Sequence, residues 1–140
     1  MIFILDTNVL SAMMQVAPEP AAAAWMAGQD EALLFTTAIS YSEVFAGIAV
    51  LAGGRRRRAL EQAAHGMFDE FDGRVLAFDT DAAVAYADLF AVRQRAGRPA
   101  GALDLMIAAI AACHDATVVT RDVRGFEECG VGVVNPWEGL

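Results

Sequence analysis

A chain of 140 residues has room for one domain with a sizeable core. Its 56% hydrophobic content and mean hydropathy of +0.41 are high for a soluble monomer, and alanine supplies much of the excess, which points to close helix packing and a self-association surface. A net charge of −8 rules out attraction of phosphate backbones by the overall field, and the complete absence of lysine rules out P-loop, Schiff-base and lysine-assisted aspartyl-phosphate chemistry.

The first element is a strand over residues 2–5, Ile-Phe-Ile-Leu, which runs into Asp6-Thr7-Asn8. A short helix is expected from Asn8 to Met14. Pro18 and Pro20 mark a loop and the opening of a helix that reaches about Gly28. Leu33 to Ala38 predicts a second strand, and Ser40 to Leu51 a helix ended by Gly53-Gly54. A long helix is expected from Arg55 to Phe71, then a short strand from Arg74 to Phe78. Thr80 is read as the cap of a helix to about Ala96, with Gly97 as its C-terminal signal. A helix from Ala102 to His114 and strands at Thr117–Thr120 and Val131–Val134 complete the chain.

Strands alternating with helices predict an α/β fold around a parallel sheet, here as a single domain over residues 1–140. The longest apolar run, Leu105 to Cys113, is far below the roughly 20 residues a membrane span needs. The start carries no basic-then-apolar leader pattern. Cys113 and Cys129 form no CxxC pair, so reduced thiols and a cytoplasmic, membrane-free protein are expected.

Four carboxylates stand at or near element ends. Ligands of open α/β sheets bind outside the carboxyl ends of the strands, where Asp6 lies after the first strand and Asp122 after Thr117–Thr120. Adjacent parallel strands are about 4.8 Å apart, so these two acids can share a small cation if their strands are neighbours. Asp104 falls in the first turn of an apolar helix, where burial is costly without a partner. Glu43 sits one turn into the helix opening at Ser40, among Ile39, Val44, Phe45 and Ile48. Each acid has a purely structural reading: Asp6 as a helix cap, Ser40-x-x-Glu43 as a capping box, Asp104 as a dipole-stabilising acid and Asp122 as an Asx-turn residue. Taken together, four acids without a cysteine–histidine pattern point to a hard cation, Mg²⁺ or Mn²⁺.

The remaining features carry less. Arg55 to Arg58 form a solvated charge run, with an RNA-phosphate or acidic-partner role as the alternative. Arg93, Arg95 and Arg98 suit a helix C-terminus and are at most secondary phosphate contacts. His65 and His114 lack ligand spacing. Trp25, Phe45, Phe68, Phe71 and Trp137 are read as core or dimer interface rather than base platforms, and Met13-Met14 as packing residues.

Ile4-Leu5-Asp6-Thr7-Asn8, Ser42-Glu43, the segment Ala102 to Ala109 with Asp104, Val119-Thr120-Arg121-Asp122 and Val134-Asn135-Pro136-Trp137 occur in an order and spacing that resemble the PIN-domain ribonucleases. Within them the chain is most similar to VapC-type toxins of type II toxin–antitoxin pairs, in the FitB-like branch. The resemblance spans essentially the whole chain. It implies a three-layer α/β/α fold with a central parallel sheet and a Mg²⁺-dependent endoribonuclease, Mn²⁺ being a possible substitute. It maps the family's acidic quartet onto Asp6, Glu43, Asp104 and Asp122, and supporting polar positions onto Asn8 and Thr120. It also implies an RNA substrate, a homodimer and a small DNA-binding antitoxin that blocks the acidic pocket. Many members carry Asn at the position of Asp122 and an acid about three residues later; here that later position is Gly125, and the acid stands at 122 as in the FitB-like branch. Alternatives are a metal-dependent nuclease of RNA processing or DNA repair without an antitoxin, and a catalytically silent PIN fold used as a binding module.

Overall fold

The computed structural model describes residues 1–15, 17 and 19–138. The loop expected at Pro18 lies outside the described residues. Five strands, β1 (Phe3–Leu5), β2 (Leu34–Thr37), β3 (Val75–Leu76), β4 (Thr117–Val119) and β5 (Gly132–Val134), form one sheet in the order β3-β2-β1-β4-β5, every pair parallel. The connections carry α1 (Thr7–Met13) and α2 (Pro20–Ala27), then α3 (Ala38–Ala49) and α4 (Arg55–Asp69), then α5 (Thr80–Arg95) and α6 (Ala102–Cys113). A single 3₁₀ turn, Val123–Phe126, lies between β4 and β5, and another, Glu31–Leu33, leads into β2.

Strand periodicity divides the core. Ile4 and Val118 point to one face, where they pack with Leu105, Ile107, Ala108, Ile110 and Ala111 of α6. Leu5 and Val119 point to the other, against Val9 and Leu10 of α1, Val44 and Ile48 of α3 and Met67 and Phe68 of α4. The result is the expected three-layer α/β/α arrangement. Alanines at 108, 109 and 111 are fully buried, which is how small side chains let α6 lie close to the sheet. None of the helices is long and apolar enough to cross a membrane, among the described residues.

The chain winds outward from β1 through β2 to β3, then returns by α5 and α6 to β4 on the opposite side of β1. The direction of winding therefore reverses between β1 and β4. Crevices of open α/β sheets form at such a switch point, at the strands' carboxyl ends. The neighbourhood of β1 and β4, left open by periodicity, is settled by the register Phe3↔Thr117, Ile4↔Val118 and Leu5↔Val119.

Several boundaries differ from expectation for local reasons. Asp79, not Thr80, caps α5: its side chain accepts from the Ala82 N–H at 3.0 Å, which makes Thr80 the first helical residue. Thr37 caps α3 by accepting from Ser40 N at 3.1 Å, so the helix starts at Ala38, two residues earlier than read. β3 keeps only Val75–Leu76 of the expected 74–78. The thiols are free, Cys113 exposed and Cys129 buried.

Candidate metal centre

Asp6 is the first residue beyond β1 and only 5% exposed. Three bonds fix its position. Its backbone N–H continues the sheet ladder to the Val119 carbonyl at 2.9 Å. Its Oδ1 accepts from Thr7 N at 2.8 Å and thereby caps α1. Its Oδ2 accepts from the hydroxyl of fully buried Thr120 at 2.8 Å. The structural reading of Asp6 as a helix cap is thus correct, and the capping side chain stands at the crevice beyond β1.

Thr120 and Asn8 tie the two strand ends together. Thr120 Oγ1 also accepts from Asn8 Nδ2 at 3.1 Å and from Asp122 N at 3.0 Å, while Asn8 Oδ1 accepts from Arg121 N at 3.1 Å. The loop after β4 is therefore hung on side chains from the start of α1. Asp122 in turn opens the 3₁₀ turn, with Oδ1 accepting from Gly125 N at 3.4 Å, so its Asx-turn reading also holds. Its carboxylate stays solvent-exposed.

Glu43 comes from α3, and the capping box proposed for it is not formed. Ser40 lies inside the helix, and its N–H is already taken by Thr37. Glu43 Oε1 instead accepts from Thr7 Oγ1 at 2.8 Å, and Thr7 Oγ1 lies 3.0 Å from Ser40 Oγ. A hydroxyl has one proton, so Thr7 donates it to the carboxylate and accepts from Ser40. Thr7 is a supporting residue that the sequence reading passed over; its position next to Asp6 was the available signal. Glu43 itself is half-buried, beside buried Val44 and Ile48.

Asp104, in the first turn of α6, brings the fourth carboxylate to the same place. A Cβ on Gly125 would lie 2.6 Å from Asp104 Oδ2 and 3.4 Å from Asp122 Oδ2. The bare backbone of Gly125 therefore lets two carboxylates approach one point. That accounts for glycine at 125: a side chain there would push Asp104 aside.

The electrostatics follow from this crowding. Burial pushes the Asp6 carboxyl up, against its bonds from Thr120 and Thr7, and the charges of Glu43 and Asp122 add to the rise. Asp104 is raised to about 6, chiefly by burial and then by Asp6, Asp122 and Glu43, with the Arg93 guanidinium opposing. None of the four acids takes part in a salt bridge among the described residues. Four oxygen donors repelling one another suit a hard divalent cation. No three His, Cys, Asp or Glu side chains close on one point at coordination spacing among the described residues. Mg²⁺ tolerates this, because it keeps several waters and needs only one or two direct carboxylates.

Arg93 lies in the last turn of α5, as expected, but is only 5% exposed, donating Nε–H to the Arg98 carbonyl at 2.7 Å and Nη1–H to the Glu127 carbonyl. It pins the end of α5 to the segment after the 3₁₀ turn and has no access to a ligand. The recurrence of Ala82, Tyr86, Leu89 and Arg93 on one helical face was the signal for its burial. In the Arg55–Arg58 run, Arg57 pairs with Glu61 at 2.9 Å, while Arg55, Arg56 and Arg58 are exposed.

The PIN domain family matches residues 3–131. The chain is 39% identical over 136 residues to the VapC ribonuclease Y4jK of Sinorhizobium fredii, covering 96% of this chain and 97% of that one. It is 34% identical over 135 residues to Toxin FitB of Neisseria gonorrhoeae, covering 96% and 97%. Among solved structures, FitAB bound to the IR36 DNA fragment superposes with a TM-score of 0.90 at 34% identity, covering 97% of this chain and 96% of that one. The chain belongs to the PIN-domain family, in its VapC-type, FitB-like branch.

Proposed function

We propose that the chain is the toxin of a type II toxin–antitoxin pair and a Mg²⁺-dependent endoribonuclease, with Mn²⁺ able to replace Mg²⁺. The observation that carries this reading is the gathering of Asp6, Glu43, Asp104 and Asp122 around the switch point of the sheet, close enough for the other three charges to act on Asp104. Relatives sharing more than a third of their residues over nearly the full length are named as a VapC ribonuclease and a toxin. FitAB is bound to DNA in the solved relative, which supports a DNA-binding antitoxin as partner. A homodimer is part of the same proposal, supported by the exposed apolar side chains Tyr41, Val84, Phe90 and Leu103.

Asp6 and Asp104 would hold the cation directly, with Glu43 and Asp122 completing the site directly or through water. The ion supplies positive charge to a phosphodiester oxygen and makes water a better nucleophile at neutral pH. Asp6, locked by Thr7 and Thr120, gives that site a fixed origin. One acid, either Glu43, held through one oxygen by Thr7, or exposed Asp122, would orient the attacking water and take its proton. In-line displacement then leaves a 5′-phosphate and a 3′-hydroxyl.

The test is cleavage of single-stranded RNA by the purified chain. Cutting is expected with Mg²⁺, is abolished by EDTA, and is lost in the Asp6→Asn/Asp104→Asn double variant, whose circular dichroism stays that of the parent. Metal-dependent cleavage retained by the folded double variant would contradict the assignment.

A further inference from the structure

Arg121 stands between Thr120 and Asp122, and its backbone N–H is held by Asn8 Oδ1 at 3.1 Å. Its guanidinium lies 4.4 Å from the centroid of the Trp137 ring. The outer edge of the same group pairs with Glu19 Oε2 at 3.1 Å, and the two side chains are 54% and 53% exposed. Trp137 is half-buried against the core face formed by α1, α3 and α4, with its backbone N–H donated to Asn135 Oδ1 at 3.0 Å. It is therefore neither a pure core residue nor a free platform, and its ring carries the Arg121 guanidinium.

Three physical points bear on what this pair does. A net charge of −8 repels RNA, so cations near the acids matter out of proportion to their number. A guanidinium stacked on an indole is already oriented, and its fork matches phosphate oxygens better than an ammonium would. An ion pair as exposed as Arg121–Glu19 adds little to stability, so a phosphate can replace the carboxylate readily.

We propose that Arg121, seated on Trp137, binds a backbone phosphate of the RNA strand beside the acidic centre, and that Glu19 occupies the guanidinium until RNA displaces it. This inference rests on the ribonuclease reading above. It assigns substrate binding to Arg121 and Trp137 and a competing, substrate-mimicking role to Glu19.

The two partners should then act in opposite directions, which a purely structural ion pair would not produce. Binding is measured by fluorescence anisotropy of the full chain with a labelled single-stranded RNA pool, using Ca²⁺ in place of Mg²⁺ to limit cutting. Arg121→Ala should weaken binding by about tenfold and reduce the steepness of its salt dependence by about 0.7 in log–log slope, one phosphate's worth for a single strand. Arg121→Lys should recover only part of the loss, and Glu19→Gln should tighten binding. Thermal melts of all three variants should stay close to the parent. Unchanged affinity and slope in Arg121→Ala, or weakening by Glu19→Gln, would overturn the proposal. If the parent chain cuts RNA with Mg²⁺ while the Arg121 variants bind as the parent does, this inference alone fails. A parent chain that does not cut RNA fails the underlying reading, and this inference with it.

Discussion

Asp104 is the residue whose charge costs the fold most visibly. Its carboxyl is raised to about 6 by burial and by three neighbouring acids, against an ordinary value near 3.8. Between those values the folded chain binds more protons than the unfolded one, so stability falls as pH rises through this window and levels off above it. The Asp6 shift has the same sign. Metal-free protein should therefore melt at a higher temperature at pH 5.5 than at pH 7.5, both above the sequence pI of about 4.5. Asp104→Asn should flatten this slope and raise the melting temperature at pH 7.5 while abolishing cleavage. A parent protein in EDTA whose stability rises over the same interval would contradict the crowded-acid account. Stabilisation together with loss of activity is the mark of a site whose charges await a counter-ion.

At the scale of elements, strands and helices were legible because their periodicities are local: all eleven expected segments exist, most within two residues of their expected ends. The differences at α3 and α5 come from capping chemistry. Asp79 and Thr80 are both competent caps in sequence, and only the helix start decides which side chain reaches the Ala82 N–H. Ser40-x-x-Glu43 fits a capping box, yet Thr37 opens the helix earlier and frees Glu43 for Thr7. Of the two readings the sequence left open for Glu43, the capping box fails for the same reason that its carboxylate is available to Thr7. Asp79→Ala should lower stability by about 1 kcal/mol, while Thr80→Ala stays within about 0.5 kcal/mol. Equal effects in urea denaturation would contradict the cap assignment. Cleavage should be unchanged in both, since Asp79 and Thr80 lie at the start of α5, whereas Arg93, whose charge acts on Asp104, lies in its last turn.

For the whole molecule, the decisive fact is the strand order. Nothing in local periodicity says that β4 lies beside β1, more than a hundred residues away; that follows from the chain winding outward through β2 and β3 and returning through α5 and α6. The topology makes neighbours of Asp6 and Asp122 and lowers the α6 start, with Asp104, onto Gly125. The four acids could be nominated from sequence by their positions at element ends and by family resemblance. Of their supports, Thr7 was signalled only by its place next to Asp6, and the close approach of Asp104 to Gly125 was not signalled at all, because it joins the start of α6 to a loop distant in sequence. The central claim is that these acids form one divalent-cation site, and calorimetric titration of Mn²⁺ into metal-free protein tests it most directly. The parent chain should bind Mn²⁺ saturably, Asp6→Asn and Asp104→Asn should lose that binding, and Glu43→Gln and Asp122→Asn should weaken it. Binding by Asp6→Asn and Asp104→Asn with the affinity of the parent would contradict the account.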